Sequence, residues 1–126
     1  MKNNVARRWA NALRSGKYRK TTGSLKRTDG SYCALGVLCD LYKKQGGPLG
    51  EKPIPHKDIW WVVGGGSTLD EEGAILLGGE SQIPPKKVLN WAGLGIIQAE
   101  EIAGMNDDGH SFRKIATHID KNKEIL

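Results

Sequence analysis

Acid is missing from the start of this chain: no aspartate or glutamate precedes Asp29. The same stretch carries nine cations, Lys2, Arg7, Arg8, Arg14, Lys17, Arg19, Lys20, Lys26 and Arg27. Residues 28–126 hold ten basic and fourteen acidic side chains, so the net charge of +5 comes entirely from the opening quarter. That quarter is no evenly mixed, merely solubilising surface. Like charges crowded together oppose folding unless something neutralises them, so an anionic partner is expected.

Long apolar runs are also lacking. Nothing approaches the roughly 18 consecutive apolar residues of a membrane span. Arg7, Arg8 and Arg14 interrupt any leader-like stretch, so a soluble cytosolic chain with no membrane contact is expected. Cysteine is scarce: Cys33 and Cys39 are the only two, and the three histidines are scattered. Six residues apart on one helix, the two thiols would lie roughly 120° apart around its axis. That alignment is too poor for a disulfide between them. No zinc spacing is present either, and the simplest role for both is as small apolar core residues. No metal and no cofactor is expected.

What is present is one domain of 126 residues, long enough for a real core and too short for two. Glycine, at 17 residues, is about twice its usual share of roughly 7%, which implies many turns and a core concentrated in few segments. We expect a basic helix and arm over 1–28, a core helix over 32–45, an irregular Gly/Pro-rich middle over 46–83, and C-terminal helices over 84–122.

The first helix is expected from Val5 to Ser15, capped by Asn3 or Asn4 and stopped by Gly16. Val5, Trp9, Ala12 and Leu13 form its inward face, leaving Arg7, Arg8, Asn11 and Arg14 outside. Lys17 to Arg27 then reads as an extended arm with turns at Thr21–Ser24 and at Asp29-Gly30. Tyr32 to Tyr42 is apolar around nearly the whole helical circumference, so it should be the buried central helix. Pro48, Pro53 and Pro55 exclude a helix after it. Ile59–Val63 reads as a strand, with Ala74–Leu77 as its possible partner. Pro84-Pro85 should open a short helix through Trp91. Gln98–Asn106 follows, with Ile97, Ile102 and Met105 directed to the core. Phe112, Ile115, Ala116 and Ile119 give the last helix its inward stripe. The resulting fold class is α+β: helix-rich, with a central buried helix and a small irregular antiparallel sheet.

The arm is the leading candidate site. Arginines and lysines, hydroxyls and a glycine turn in one short loop can grip phosphate oxygens and cradle them with backbone N–H groups. The order of residues is not that of a Walker loop. The expected ligand-binding residues are Arg14, Lys17, Tyr18, Arg19, Lys20, Thr21, Thr22, Lys26 and Arg27. Tyr18, or whichever of Trp60 and Trp61 faces outward, would stack on a base. Acid–base chemistry is thinly provided. His56 and Asp58 lie two apart in a loop, and Asp107, Asp108 and His110 share one turn, but no spacing supplies an oriented nucleophile and base. Asp107 and Asp108 read more simply as turn and capping residues before the Phe112 helix. That helix offers only Arg113, Lys114 and His118 beside an acidic turn, so sequence-specific DNA reading is not expected. No catalytic residue is assigned.

Three segments carry a resemblance. Trp9-Ala-Asn-Ala-Leu-Arg-Ser-Gly-Lys-Tyr-Arg-Lys-Thr-Thr-Gly-Ser-Leu25, Tyr32-Cys-Ala-Leu-Gly-Val-Leu-Cys-Asp-Leu-Tyr42 and Met105-Asn-Asp-Asp-Gly-His-Ser-Phe-Arg-Lys-Ile-Ala116 resemble a family of small, mostly uncharacterised bacteriophage and prophage proteins. The resemblance implies no transferable activity. It implies a setting, that of an accessory protein in the cytoplasm of an infected bacterial host. Charge and setting together lead to an expected function: binding and sequestering an anionic host ligand, a nucleotide immune signal, without catalysis. Tight capture would need pockets shared between subunits of a homo-oligomer. The alternatives are an inhibitor that binds nucleic acid or an acidic host protein, and a nucleotide-degrading enzyme using His56 or His110.

Overall fold

The computed structural model describes residues 1–27, 29–47, 49–53, 59–64 and 83–126. Helix α1 (Asn3–Arg14) buries Val5, Ala6, Trp9, Ala10 and Leu13. It starts two residues before the expected position, because the helix is anchored by backbone rather than by an asparagine side chain. Its N-cap is Lys2, which makes no side-chain cap bond. The Lys2 N–H donates to the Ala92 carbonyl at 2.9 Å, and the Lys2 carbonyl accepts from the Ala6 N–H at 2.9 Å.

The central helix α2 (Ala34–Lys44) buries Ala34, Leu35, Gly36, Val37, Leu38, Cys39 and Tyr42. Cys33 lies outside it as the N-cap, its Sγ accepting from the Gly36 N–H at 3.4 Å. The two cysteines therefore do not share a helix; both are free and buried. Trp9 Nε1 donates to the Ala34 carbonyl at 2.9 Å, which fixes the start of α2 against α1. Gly36 has a steric reason to be glycine: a Cβ there would overlap the Leu25 carbonyl. The arm backbone thus lies directly on the central helix.

The arm contributes strand β1 (Lys26–Arg27), followed after α2 by β2 (Leu49–Pro53) and β3 (Ile59–Gly64). The strand order is β1-β3-β2, with both pairings antiparallel. Lys26 faces Trp60 in register, and Leu49 faces Gly64. Pro53 is tolerated because β2 is an outer strand in this order, where a missing N–H need not break a ladder bond. The Ala74–Leu77 partner expected for the tryptophan strand lies outside the described residues. Taken together, the described chain is helix-rich.

Helix α3 (Lys86–Ala92) follows Pro85 and ends at Gly93, which adopts the left-handed conformation (φ 70°) open to glycine. Helix α4 (Ile96–Asp107) buries Ala99, Ile102, Ala103 and Asn106. Ile97, expected in the core, is instead 64% exposed, because the buried set occupies the opposite face of the helix. Helix α5 (Phe112–Asn122) buries Phe112, Ile115, Ala116 and Ile119 as its periodicity requires. Its N-cap is Ser111, whose hydroxyl accepts from the Lys114 N–H at 3.1 Å. Asp107 and Asp108 are therefore not its caps; they close α4. Helix α1 packs on α5 and α2, while α2 packs on α3 and α4.

Candidate cationic arm and its anchors

Residues 15–27 and 29–33 form a closed structure rather than a free hairpin. The Thr21 N–H donates to the Tyr32 carbonyl at 2.8 Å, and the Tyr32 N–H donates to the Arg19 carbonyl at 2.8 Å. Leu25 and Ser24 are buried beneath the chain. From the other end of the sequence, Asn106 and Asp107 hold this loop. Asn106, fully buried in α4, donates from Nδ2 to the Thr21 carbonyl at 2.8 Å and accepts the Ala34 N–H at 3.1 Å. Asp107 accepts the Gly23 N–H at 3.0 Å. The glycine turn expected to cradle an anion thus already presents one N–H to a carboxylate of the same chain.

The cations expected to bind ligand fall into two groups. Several are engaged internally. Arg27 folds back, Nε donating to the Thr21 hydroxyl at 2.8 Å and Nη2 to the Thr22 carbonyl at 3.0 Å. Lys20 donates to the Asn106 carbonyl at 2.9 Å. Arg19 reaches the Asp29 carbonyl at 2.5 Å and its carboxylate at 3.5 Å. Arg14 pairs with Asp120 of α5 at 2.6 Å, with both side chains substantially exposed. Lys26 lies over the Tyr32 ring at 5.3 Å. Arg19, Lys20, Thr21, Thr22 and Arg27 thus all take part in the bonds that hold the arm together.

Tyr18, the expected stacking residue, is held by its hydroxyl, which donates to Asp40 at 2.5 Å and accepts from Lys44 at 3.0 Å. Tyr32 meets it edge-on, with ring centroids 5.2 Å apart at 89°, and Lys44 sits 5.2 Å above its ring. Burial, then the bond to Asp40, raise the Tyr18 pKa, and Lys44 opposes them. The bonds to Tyr18 and Asp40 raise the Lys44 pKa in turn. Lys26, Tyr32, Tyr18 and Lys44 form a strip of two rings flanked by two ammonium groups, with Asp40 beneath.

Among the described residues, Lys2, Arg7, Arg8 and Lys17 are exposed, and their charges have no partner. Arg7 and Arg8 are outward-facing by periodicity but stand outside the expected site; the same helical repeat that buries Trp9 puts them in solvent. Asn106 is absent from the expected site as well. It stands one turn beyond Ile102 on the inward stripe of α4, where a polar residue signals a buried partner. The stacking roles considered for Trp60 and Trp61 concern side chains outside the described residues, as do His56 and Asp58. His110 donates its backbone N–H to the Met105 carbonyl and lines an open depression with Asp108, Gly109, Ser111 and Lys114. His118 Nδ1 lies 3.3 Å from Asn122 Nδ2. No group of three His, Cys, Asp or Glu residues able to hold a metal occurs among the described residues. No helix is long and apolar enough to cross a membrane, again among the described residues.

No curated protein and no solved structure matches the chain. A family model described as a domain of unknown function (DUF8296) matches residues 1–123, so the chain belongs to the DUF8296 family.

Proposed function

We propose that this chain is a non-catalytic binder of polyanions, specifically of the nucleic-acid phosphate backbone, acting as a phage accessory protein in the cytoplasm of an infected bacterium. It needs neither metal nor cofactor. We take its fold class as α+β, with the small antiparallel sheet bracing the arm. The carrying observation is the division among the nine N-terminal cations. Arg19, Lys20, Lys26 and Arg27 are engaged within the arm or with its anchor and Arg14 pairs with Asp120, whereas Arg7, Arg8 and Lys17 stand in solvent without an ion pair among the described residues. Arg7 and Arg8 project from the outer side of a helix, a convex surface about 10–12 Å across. Such a surface meets an extended charged partner better than it encloses a small one. Phosphate contacts of this kind give affinity with little sequence preference and a steep dependence on salt.

A second reading is sequestration of a nucleotide signal. It is favoured by the Tyr18–Tyr32 strip between Lys44 and Lys26, which offers aromatic surface beside positive charge. One experiment compares the two. The pure protein is titrated with single- and double-stranded oligonucleotides and, separately by calorimetry, with cyclic and ADP-ribose-type nucleotides. The first reading predicts salt-sensitive oligonucleotide binding and no heat from nucleotides. Heat and thermal stabilisation from a nucleotide alone would replace it with the second. Binding of neither ligand class removes both.

A further inference from the structure

Two helices from opposite ends of the chain share a basic exterior. Helix α1 holds Arg7, Arg8 and Arg14 and no acid; α5 holds Arg113, Lys114 and Lys121, with Asp120 as its one acid. The helices pack on each other, and the Arg14–Asp120 pair at 2.6 Å bridges them where both side chains are open to solvent. Residues seven apart on a helix lie about 20° apart around its axis and about 10 Å apart along it. Arg7 therefore stands on the same edge of α1 as Arg14, and Arg113 on the same edge of α5 as Asp120. Both edges border the open side of the α1–α5 seam. Arg7 and Arg113 are exposed, as are Asn11 and Thr117, which lie between each of them and the bridge.

We propose that Arg113 is a further phosphate contact, so that the polyanion surface crosses from α1 to α5 over the Arg14–Asp120 bridge. The inference rests on the reading of the chain as a binder of the nucleic-acid phosphate backbone and extends that surface to a second helix. Its argument is charge complementarity. The bridge neutralises the one acid of the two helices, and no hydrogen bond or ion pair engages the Arg113 guanidinium among the described residues. The neighbouring acids are placed elsewhere. Asp107 accepts the Gly23 N–H. Asp108 lines the depression beside Lys114, which lies about 100° around α5 from Arg113. Glu124 comes after the helix ends, beyond Asp120 from Arg113. Arg7 and Arg113 each stand about 10 Å from the bridge, so a run of several phosphates, at roughly 3.4 Å of rise each, reaches both.

The salt dependence of single-stranded oligonucleotide binding tests it, in wild type, R7A/R8A/K17A, Arg113→Ala and Asp120→Asn. Each phosphate contact adds roughly 0.7 to the steepness of log affinity against log salt. Arg113→Ala should therefore lower the steepness by about 0.7 and weaken binding at low salt. Its thermal midpoint should not change, since the side chain is exposed and unbonded. Asp120→Asn removes the acid that occupies Arg14, so the steepness should rise by about 0.7 and low-salt binding should tighten. A bridge that serves structure alone predicts no such gain. A slope that Arg113→Ala does not lower, or that Asp120→Asn does not raise, overturns the proposal. The phosphate-binding reading survives that result if R7A/R8A/K17A still lowers the slope; a wild-type chain that binds no oligonucleotide overturns both.

Discussion

Asn106 is bonded to Thr21 across 85 positions of sequence, its side-chain amide donating to the Thr21 carbonyl at 2.8 Å. The same amide's oxygen accepts the first N–H of α2. One fully buried side chain therefore fastens the arm, the central helix and α4 together. The segments Trp9–Leu25, Tyr32–Tyr42 and Met105–Ala116 meet here. Trp9 bonds Ala34, Asn106 bonds Ala34 and Thr21, and Asp107 bonds Gly23. Those motifs are accounted for by architecture before any ligand is invoked.

Replacing Asn106 tests that account. Asn106→Leu keeps the volume and leaves the Thr21 carbonyl and the Ala34 N–H without their partner in the interior. Each unsatisfied group costs about 1–3 kcal/mol, so for the two a loss of about 2–6 kcal/mol is expected in urea denaturation. Amide exchange should also accelerate through residues 19–27 relative to α5.

Two glycines should respond in opposite directions to the same added methyl. In Gly36→Ala the new Cβ collides with the Leu25 backbone, which cannot rotate away, so destabilisation above about 3 kcal/mol is expected. Gly104, within α4, has open space where its Cβ would be. There alanine should stabilise by up to about 1 kcal/mol through helix propensity. Thermal unfolding of both variants checks the pair.

Alkaline titration reads the Tyr18–Asp40–Lys44 cluster. Tyr18 and Lys44 both hold their protons more tightly folded than unfolded. Their contribution is therefore complete below the ordinary tyrosine value of 10.0 and lost as pH rises through the raised values. Near-ultraviolet absorbance should show Tyr18 ionising late. Asp40→Asn should bring that titration earlier and flatten the alkaline loss of stability, since Asp40 acts on Tyr18 both as hydrogen-bond acceptor and as a nearby negative charge.

The thiols should be inert while the protein is folded. Burial pushes the Cys33 thiol up to about 11, the nearby Gly36 N–H only partly offsetting it. Cys39 is equally enclosed, at 2% exposure. Alkylation at neutral pH should proceed only at the rate of unfolding and reach both cysteines together; fast labelling of native protein would contradict the burial described.

Much of the helical framework is legible in sequence because it is local. The 3.6-residue stripe of Phe112, Ile115, Ala116 and Ile119 and the all-round apolarity of Ala34–Tyr42 follow from nearest-neighbour periodicity. The arm is legible only as charge. What Lys20 and Thr21 do is decided by Asn106, which is 86 and 85 positions away from them, and no local pattern encodes such a meeting. Ile97 is misplaced by periodicity for a related reason: a short apolar run, Leu94 to Ile97, does not reveal which of its members the tertiary contacts will cover. The Leu49–Pro53 strand escapes a sequence reading because its proline and glycine speak against regular structure, while its pairing with Ile59–Gly64 comes from elsewhere in the chain.

The most direct test of the central claim, that unpaired cations at Arg7, Arg8 and Lys17 meet a polyanion, is the slope of log affinity against log salt for a single-stranded oligonucleotide. Each phosphate contact contributes roughly 0.7 to that slope. The triple variant R7A/R8A/K17A, which leaves the arm's internal bonds intact, should reduce it by about 2 and weaken binding at low salt. A slope that is unchanged in this variant, or a wild-type protein that does not bind at low salt, contradicts the account.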